Sequence, residues 1–194
     1  ALSARVLVGP ENRLDPTCER MAASPLDCEG LPGPALIGFM AGAVVMRTEA
    51  FRETGGYEPR FFLGAEEALM GLELAARGWA IVYASDVVAH HHPSAARDAC
   101  ARRVMLVRNR LWIAWLRLPL VTAWHETRHV MREAGSDGTV RPALLAALRG
   151  LPWVLPRRRP VPESAHRMWL RVHGVAPVSP APAGRAESER RARQ

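Results

Sequence analysis

Between Gly38 and His92 the order of local signals constrains the fold more than any other stretch of the chain. An apolar run from Ala35 to Arg47, with Gly38 and Gly42 permitting close backbone approach, reads as a strand. Thr48 is placed to cap a short helix through Thr54, and Gly55 suits the left-handed residue that ends it. Phe61-Phe62 then leads to the adjacent carboxylates Glu66-Glu67. They open a second helix, Glu66 to Arg77, with Leu69, Leu72 and Ala76 on one face and Gly78 as its stop. Two short strands, Trp79 to Tyr83 and Val87 to His90, are expected to follow around a turn at Ser85-Asp86 and to end in His90-His91-His92. Strands alternating with helices give an α/β class.

On either side the signals are simpler. Ala4 to Val8 is strand-like, and Gly9 to Pro34 reads as a loop with one helical turn around Thr17 to Ala23. Beyond Pro93-Ser94 the period becomes helical to about Leu118. Pro119 interrupts it, and further helices are expected to about Ala134, over Arg141 to Gly150 and over Pro162 to Val172. From Gly174 the composition of Ala, Pro, Ser, Arg and Glu reads as a disordered tail. The organisation expected is a partial α/β domain over 1–93, an α-helical extension over 94–173 and a tail over 174–194.

The 26 basic residues are all Arg, against 19 acids, and the net charge of +7 suits an anionic membrane surface, a nucleic acid or a nucleotide-linked substrate. No nucleic-acid-binding motif accompanies the charge, so no nucleic acid is expected. Cys18, Cys28 and Cys100 form neither a disulfide framework nor a zinc cluster, which favours a reducing compartment. No apolar run reaches the roughly 18 residues that span a bilayer. Trp112 and Trp115 among arginines, and Trp153 before Arg157-Arg158-Arg159, suit either a membrane surface or packing against the α/β part, and the pattern does not choose between them. His125 to His129 fits HExxH, but Arg128 lies inside the motif and no third ligand follows at a zincin spacing, which favours a solvated helix face.

Adjacent helical residues point about 100° apart, so Glu66 and Glu67 cannot face one pocket equally. Taken with Ala41-Gly42-Ala43, Arg47, Phe51, Gly55-Gly56-Tyr57, Phe61-Phe62, Arg77-Gly78-Trp79, Tyr83, Val88-Ala89-His90 and Arg108-Asn109, the pair stands in an order that resembles the acceptor-side, C-terminal half of family-2 inverting glycosyltransferases. That resemblance, over roughly eighty residues, implies a partial GT-A (Rossmann-like) domain. It implies Glu67 as the catalytic base with Glu66 beside it, substrate-binding roles for Gly42, Ala43, Phe62 and Trp79, and His90 near a metal-bound diphosphate. A nucleotide-sugar donor, a carbohydrate or lipid-linked acceptor and Mg²⁺ or Mn²⁺ come with it. So does a cytoplasmic location, at the inner face of the cytoplasmic membrane if the helices touch lipid.

The chain departs from the family pattern as well. It has no DxD-type donor motif, Leu69 stands where an Asp often follows the acid pair, and Glu73 where an Arg is often found. The expectation is a transferase portion lacking the nucleotide-binding half and inactive by itself. The competing expectation is a non-catalytic remnant or a membrane-associated interaction module.

Overall fold

The computed structural model describes residues 1–93, 99–133 and 138–174. Its centre is a mixed sheet of five strands: β1 (Leu2–Val8), β2 (Arg13–Leu14), β3 (Ala35–Leu36), β4 (Val44–Val45) and β5 (Ile81–His91). The order is β2-β1-β5-β3, and β4 pairs with the other end of the β1 edge that β2 occupies. Only β1 and β5 are parallel; β2 and β4 run antiparallel to β1, and β3 antiparallel to β5. Parallel neighbours need a long crossover, and here it carries α1 (Pro16–Ala22), α2 (Thr48–Glu53) and α3 (Glu66–Ala76). Beyond β5 come α4 (Ala99–Arg117), α5 (Leu120–Glu133), α6 (Val140–Arg149), α7 (Leu151–Val154) and α8 (Glu163–His173). The α/β class and the helical C-terminal part therefore hold. Pro93 is described and outside any helix, while the expected helix start from Ser94, the end near Ala134 and the tail beyond Gly174 lie outside the described residues.

Several local expectations are corrected. Ala35 to Arg47 is not one strand: the chain leaves β3, turns with Ala43 N–H donating to the Met40 carbonyl, and returns as β4 on a different neighbour. Conversely, the two strands expected after Gly78 are one. The β1 pairing runs from Ala84 directly to Val88, so Ser85, Asp86 and Val87 bulge out of an otherwise continuous β5. Thr48 is the first helical residue of α2, with Arg47 in the cap position and no side-chain cap bond. The Gly9 to Pro34 loop contains both β2 and the two-turn helix α1. Asp15 caps that helix by accepting from Thr17 N–H at 2.7 Å, and Pro16 fills its first turn.

Helix α3 divides the core. Met70 and Leu74 join Val6, Cys18, Leu36, Ile81 and Tyr83 against the sheet, while Leu69 and Leu72 join Phe61, Leu111, Trp112 and Val154 among the helices. A stripe wide enough for two partners is what lets α4 to α8 pack on the α/β part without a second sheet face. Gly71, between the two stripes, is where α3 meets the backbone after β3. A Cβ there would lie 2.3 Å from the Ile37 carbonyl oxygen.

The tryptophans considered for a membrane contact pack among the helices, Trp112 buried and Trp115 and Trp153 half-buried. Trp112 donates to the Ala147 carbonyl at 3.0 Å and packs edge-on against Trp153, and Trp115 donates to Thr127 Oγ1.

Candidate functional site

Glu66 and Glu67 occupy the first turn of α3, and a strained loop puts them there. A single 3₁₀ turn, Pro59–Phe61, buries the Phe61 ring against Trp112. Phe62 then adopts φ 60°, ψ −60°, and Leu63 N–H donates back to the Phe61 carbonyl at 2.7 Å. That is a γ-turn of the rare, strained hand. Gly64 (φ 86°) and Ala65 (φ 65°) also stand at positive φ before the helix begins. A Cβ at Gly64 would lie 2.5 Å from the Leu106 side chain, which would have to move aside.

Strain of this kind persists only when the surroundings over-determine it. Here α4 supplies the clamp. Asn109, wholly buried, turns its amide nitrogen toward the carbonyls of Phe61 (3.0 Å), Leu63 (3.3 Å) and Gly64 (2.6 Å). Its Oδ1 accepts from Arg108 Nε and Nη2, and Arg108 also donates to the Phe61 carbonyl while its guanidinium covers the Trp112 ring at 4.4 Å. Phe62 itself projects into solvent, 81% exposed.

The two carboxylates diverge, as the helical geometry requires. Glu67 lines a cavity of ≈ 710 Å³ enclosed by α1, the Leu36 to Phe39 segment, α3, α4, α5 and α8. Burial pushes the Glu67 carboxyl above the ordinary carboxylate value, and the neighbouring Glu66 charge adds to that. The backbone N–H groups of Glu67 and Ala65, and more distantly Arg102, offset part of the rise.

Glu66 instead lines a smaller cavity of ≈ 260 Å³ with Tyr57, Glu58, Glu73 and Arg117, and its Oε2 is buried without a partner. Burial also raises the Tyr57 hydroxyl, with Glu67 and Glu66 adding to it. For Glu73 burial alone would raise the pKa. The hydrogen bonds and charges of Arg77 and Arg117 outweigh it and hold the carboxyl below its usual value.

Other groups meet Glu67 at the large cavity: Arg20, Arg110, Glu126 and His173. Glu126 is buried on the inner face of α5, whereas its motif neighbours His125 and His129 are exposed. His173 Nδ1 donates to the Trp169 carbonyl at 3.0 Å, and the ring stacks on Trp169 at 3.7 Å. Part of the ring stays in water, but the stacked face is dry, and that desolvation lowers its pKa below the ordinary imidazole value.

The remaining residues singled out in the sequence lie elsewhere. Gly42 and Ala43 form the turn into β4 and do not line the Glu67 cavity, where Gly38 stands instead. Trp79 donates to Glu53 Oε2 at 2.7 Å, tying α2 to the start of β5. His90 is exposed at the end of β5 with Nδ1 3.0 Å from Asn12 Oδ1. Among the described residues no group of three His, Cys, Asp or Glu is arranged to hold a metal ion.

Sequence reasoning missed that Glu126 and His173 line the same cavity as Glu67. The signal for Glu126 was present, because it falls on the stripe of α5 shared by Thr122, Ala123 and Val130. His173 reaches the cavity only through the packing of α8 against α3, which no local pattern announces.

No protein-family model, no curated protein and no solved structure matches this chain.

Proposed function

We propose that the chain is the acceptor-side portion of an inverting glycosyltransferase in which Glu67 takes the proton from the acceptor hydroxyl. The observation that carries the reading is a carboxyl at a helix start, facing a cavity of ≈ 710 Å³, with its pKa raised by burial. A carboxylate so placed holds a proton more tightly than one in water, and a base works best when its pKa approaches the operating pH. As the acceptor oxygen attacks the anomeric carbon of a nucleotide sugar, its proton passes to Glu67. The bond from that carbon to the diphosphate breaks on the opposite face, which inverts the centre.

The part of this chain in the reaction is to receive the acceptor and its proton. The described side chains do not fit a divalent metal, and the sequence holds no DxD motif. In this reading the donor and Mg²⁺ or Mn²⁺ would be held by a nucleotide-binding part outside these residues.

The test is sugar transfer by the longest in-frame polypeptide containing this sequence, assayed with labelled nucleotide sugars and envelope-type acceptors. Glu67→Gln is expected to lower kcat by about 10²–10⁴-fold while leaving donor binding intact, the range general bases contribute. Equal turnover by Glu67→Gln would remove Glu67 from the chemistry. The isolated chain is expected to transfer nothing, and turnover by it would overturn the assignment of the donor site to another part.

A further inference from the structure

Helix α5 has one side in the core and one side without a protein partner among the described residues. Thr122, Ala123, Glu126 and Val130 face inward. On the other side its first turns present Leu120, Val121 and Trp124, respectively 75%, 70% and 61% exposed. Single exposed apolar residues are ordinary; three within one helical turn of each other, one a Trp, are a patch.

Charge follows along the same side. The Arg128 guanidinium lies 5.9 Å from the centre of the Trp124 ring, and exposed Arg132 stands one turn further on. Of the two acids on the helix, Glu126 is buried and Glu133 is bonded to Arg110 at 2.7 Å. The outward side is thus apolar at its start and cationic along its length, with its carboxylates either hidden or engaged.

We propose that this side of α5 is a docking surface for an anionic lipid bilayer. Leu120, Val121 and Trp124 would enter the headgroup boundary, and Arg128 and Arg132 would meet lipid phosphates. The chemistry of the surface favours lipid over a protein partner. An apolar cap is flanked by a Trp whose ring already carries an Arg, the pairing of amphipathic and cationic groups that suits the interface. Anionic headgroups attract such cations without needing a shaped counterpart. No described helix is long and apolar enough to cross a membrane, so contact would be along the surface. The proposal goes beyond the transfer reading and stands whether or not Glu67 is a base.

The test is sedimentation of the full chain with vesicles of phosphatidylglycerol and phosphatidylcholine, compared with phosphatidylcholine alone. Expected is partition onto the anionic vesicles only, released when salt rises from about 0.1 M to about 1 M and the screening length falls from about 10 Å to about 3 Å. Trp124→Glu and Arg128→Gln change solvent-facing side chains, and circular dichroism checks that each stays folded. Each is expected to weaken partition, Trp124→Glu by at least about tenfold. Absence of wild-type binding at low salt, or equal binding by Trp124→Glu, overturns the proposal. A concentration-dependent dimer abolished by Trp124→Glu, without vesicle binding, would assign the surface to a second copy and overturn it too.

Discussion

The side-chain amide of Asn109 in α4 donates to the Gly64 carbonyl at 2.6 Å, reaching across 45 residues of sequence to the last turn before the acid pair. The same nitrogen serves Phe61, so one buried side chain satisfies the inner carbonyls of a loop that has no regular structure of its own. The position of Glu67 therefore depends on a residue two elements away. Asn109→Ala strands the buried Gly64 carbonyl, while the Phe61 carbonyl keeps its donors from Leu63 and Arg108, and it is expected to cost about 1–3 kcal/mol, the cost of one unsatisfied buried group. Asn109→Asp keeps the shape and the Arg108 contacts but loses the donors, so it should be destabilised as well. Urea unfolding measures both, and a loss below about 0.5 kcal/mol for either would deny the clamp its role.

Phe62 gives a prediction of opposite sign. Its γ-turn conformation stores strain of about 1–3 kcal/mol, and its ring is in solvent and contributes little burial. Glycine tolerates positive φ without the Cβ clash, at an entropic cost of about 0.5–1 kcal/mol. Phe62→Gly should therefore leave stability unchanged or raise it by about 1 kcal/mol. If the ring contacts the acceptor in the complete enzyme, the same variant raises acceptor KM. Thermal unfolding and acceptor kinetics read the two effects separately.

Gly71 sets two effects against each other on α3. Alanine is favoured over glycine in a helix by about 1 kcal/mol, so an exposed position would gain from the change. Here the new methyl would stand 2.3 Å from the Ile37 carbonyl oxygen and 3.0 Å from Gly38 Cα. Both are backbone atoms that cannot rotate away, and such overpacking costs about 1–3 kcal/mol or more. Gly71→Ala should lose about 1–2 kcal/mol net and shift the amides of Ile37 and Gly38, which line the Glu67 cavity. A stabilised variant, or unmoved NMR signals for those amides, would contradict the close approach.

What the sequence made legible was local. Helix α3, with acids at its start and Gly78 at its stop, has its whole signal within thirteen residues, and the divergence of Glu66 and Glu67 follows from helical pitch alone. Strand β5 was misread because Ser85-Asp86 imitates a turn. Only the partner β1, eighty residues earlier, keeps the chain extended through the bulge. Likewise Ala35 to Met46 carries no charge, yet its two ends pair with different strands, and register is a property of the partner rather than the segment. The site was legible to the same extent. Glu67 stood out, while the groups gathered around it come from α1, α4, α5 and α8 by tertiary packing. Arg108-Asn109 was noticed as a motif, but its function as a clamp on the loop before Glu66 is visible only in three dimensions.

The raised pKa of Glu67 makes a last prediction whose sign can be worked through. Burial disfavours the charged carboxylate in the folded protein, so at intermediate pH the folded state binds more protons than the unfolded chain. Stability must then fall as pH rises from the ordinary carboxylate value through the raised one, and level off above it. Glu73 runs the other way. Its carboxyl is held low by Arg77 and Arg117, so its contribution is present above the ordinary value and lost as pH falls through the lowered one. Replacing Glu67 by Gln keeps the shape and removes the charge. Relative to wild type, Glu67→Gln should gain stability at pH 7 and gain little at pH 4, where Glu67 is already protonated. Urea unfolding of both proteins at the two pH values measures the difference. An equal ΔΔG at both would mean that the Glu67 carboxylate is as well solvated in the folded protein as in the unfolded chain, and the strongest support for its role as the base would be lost.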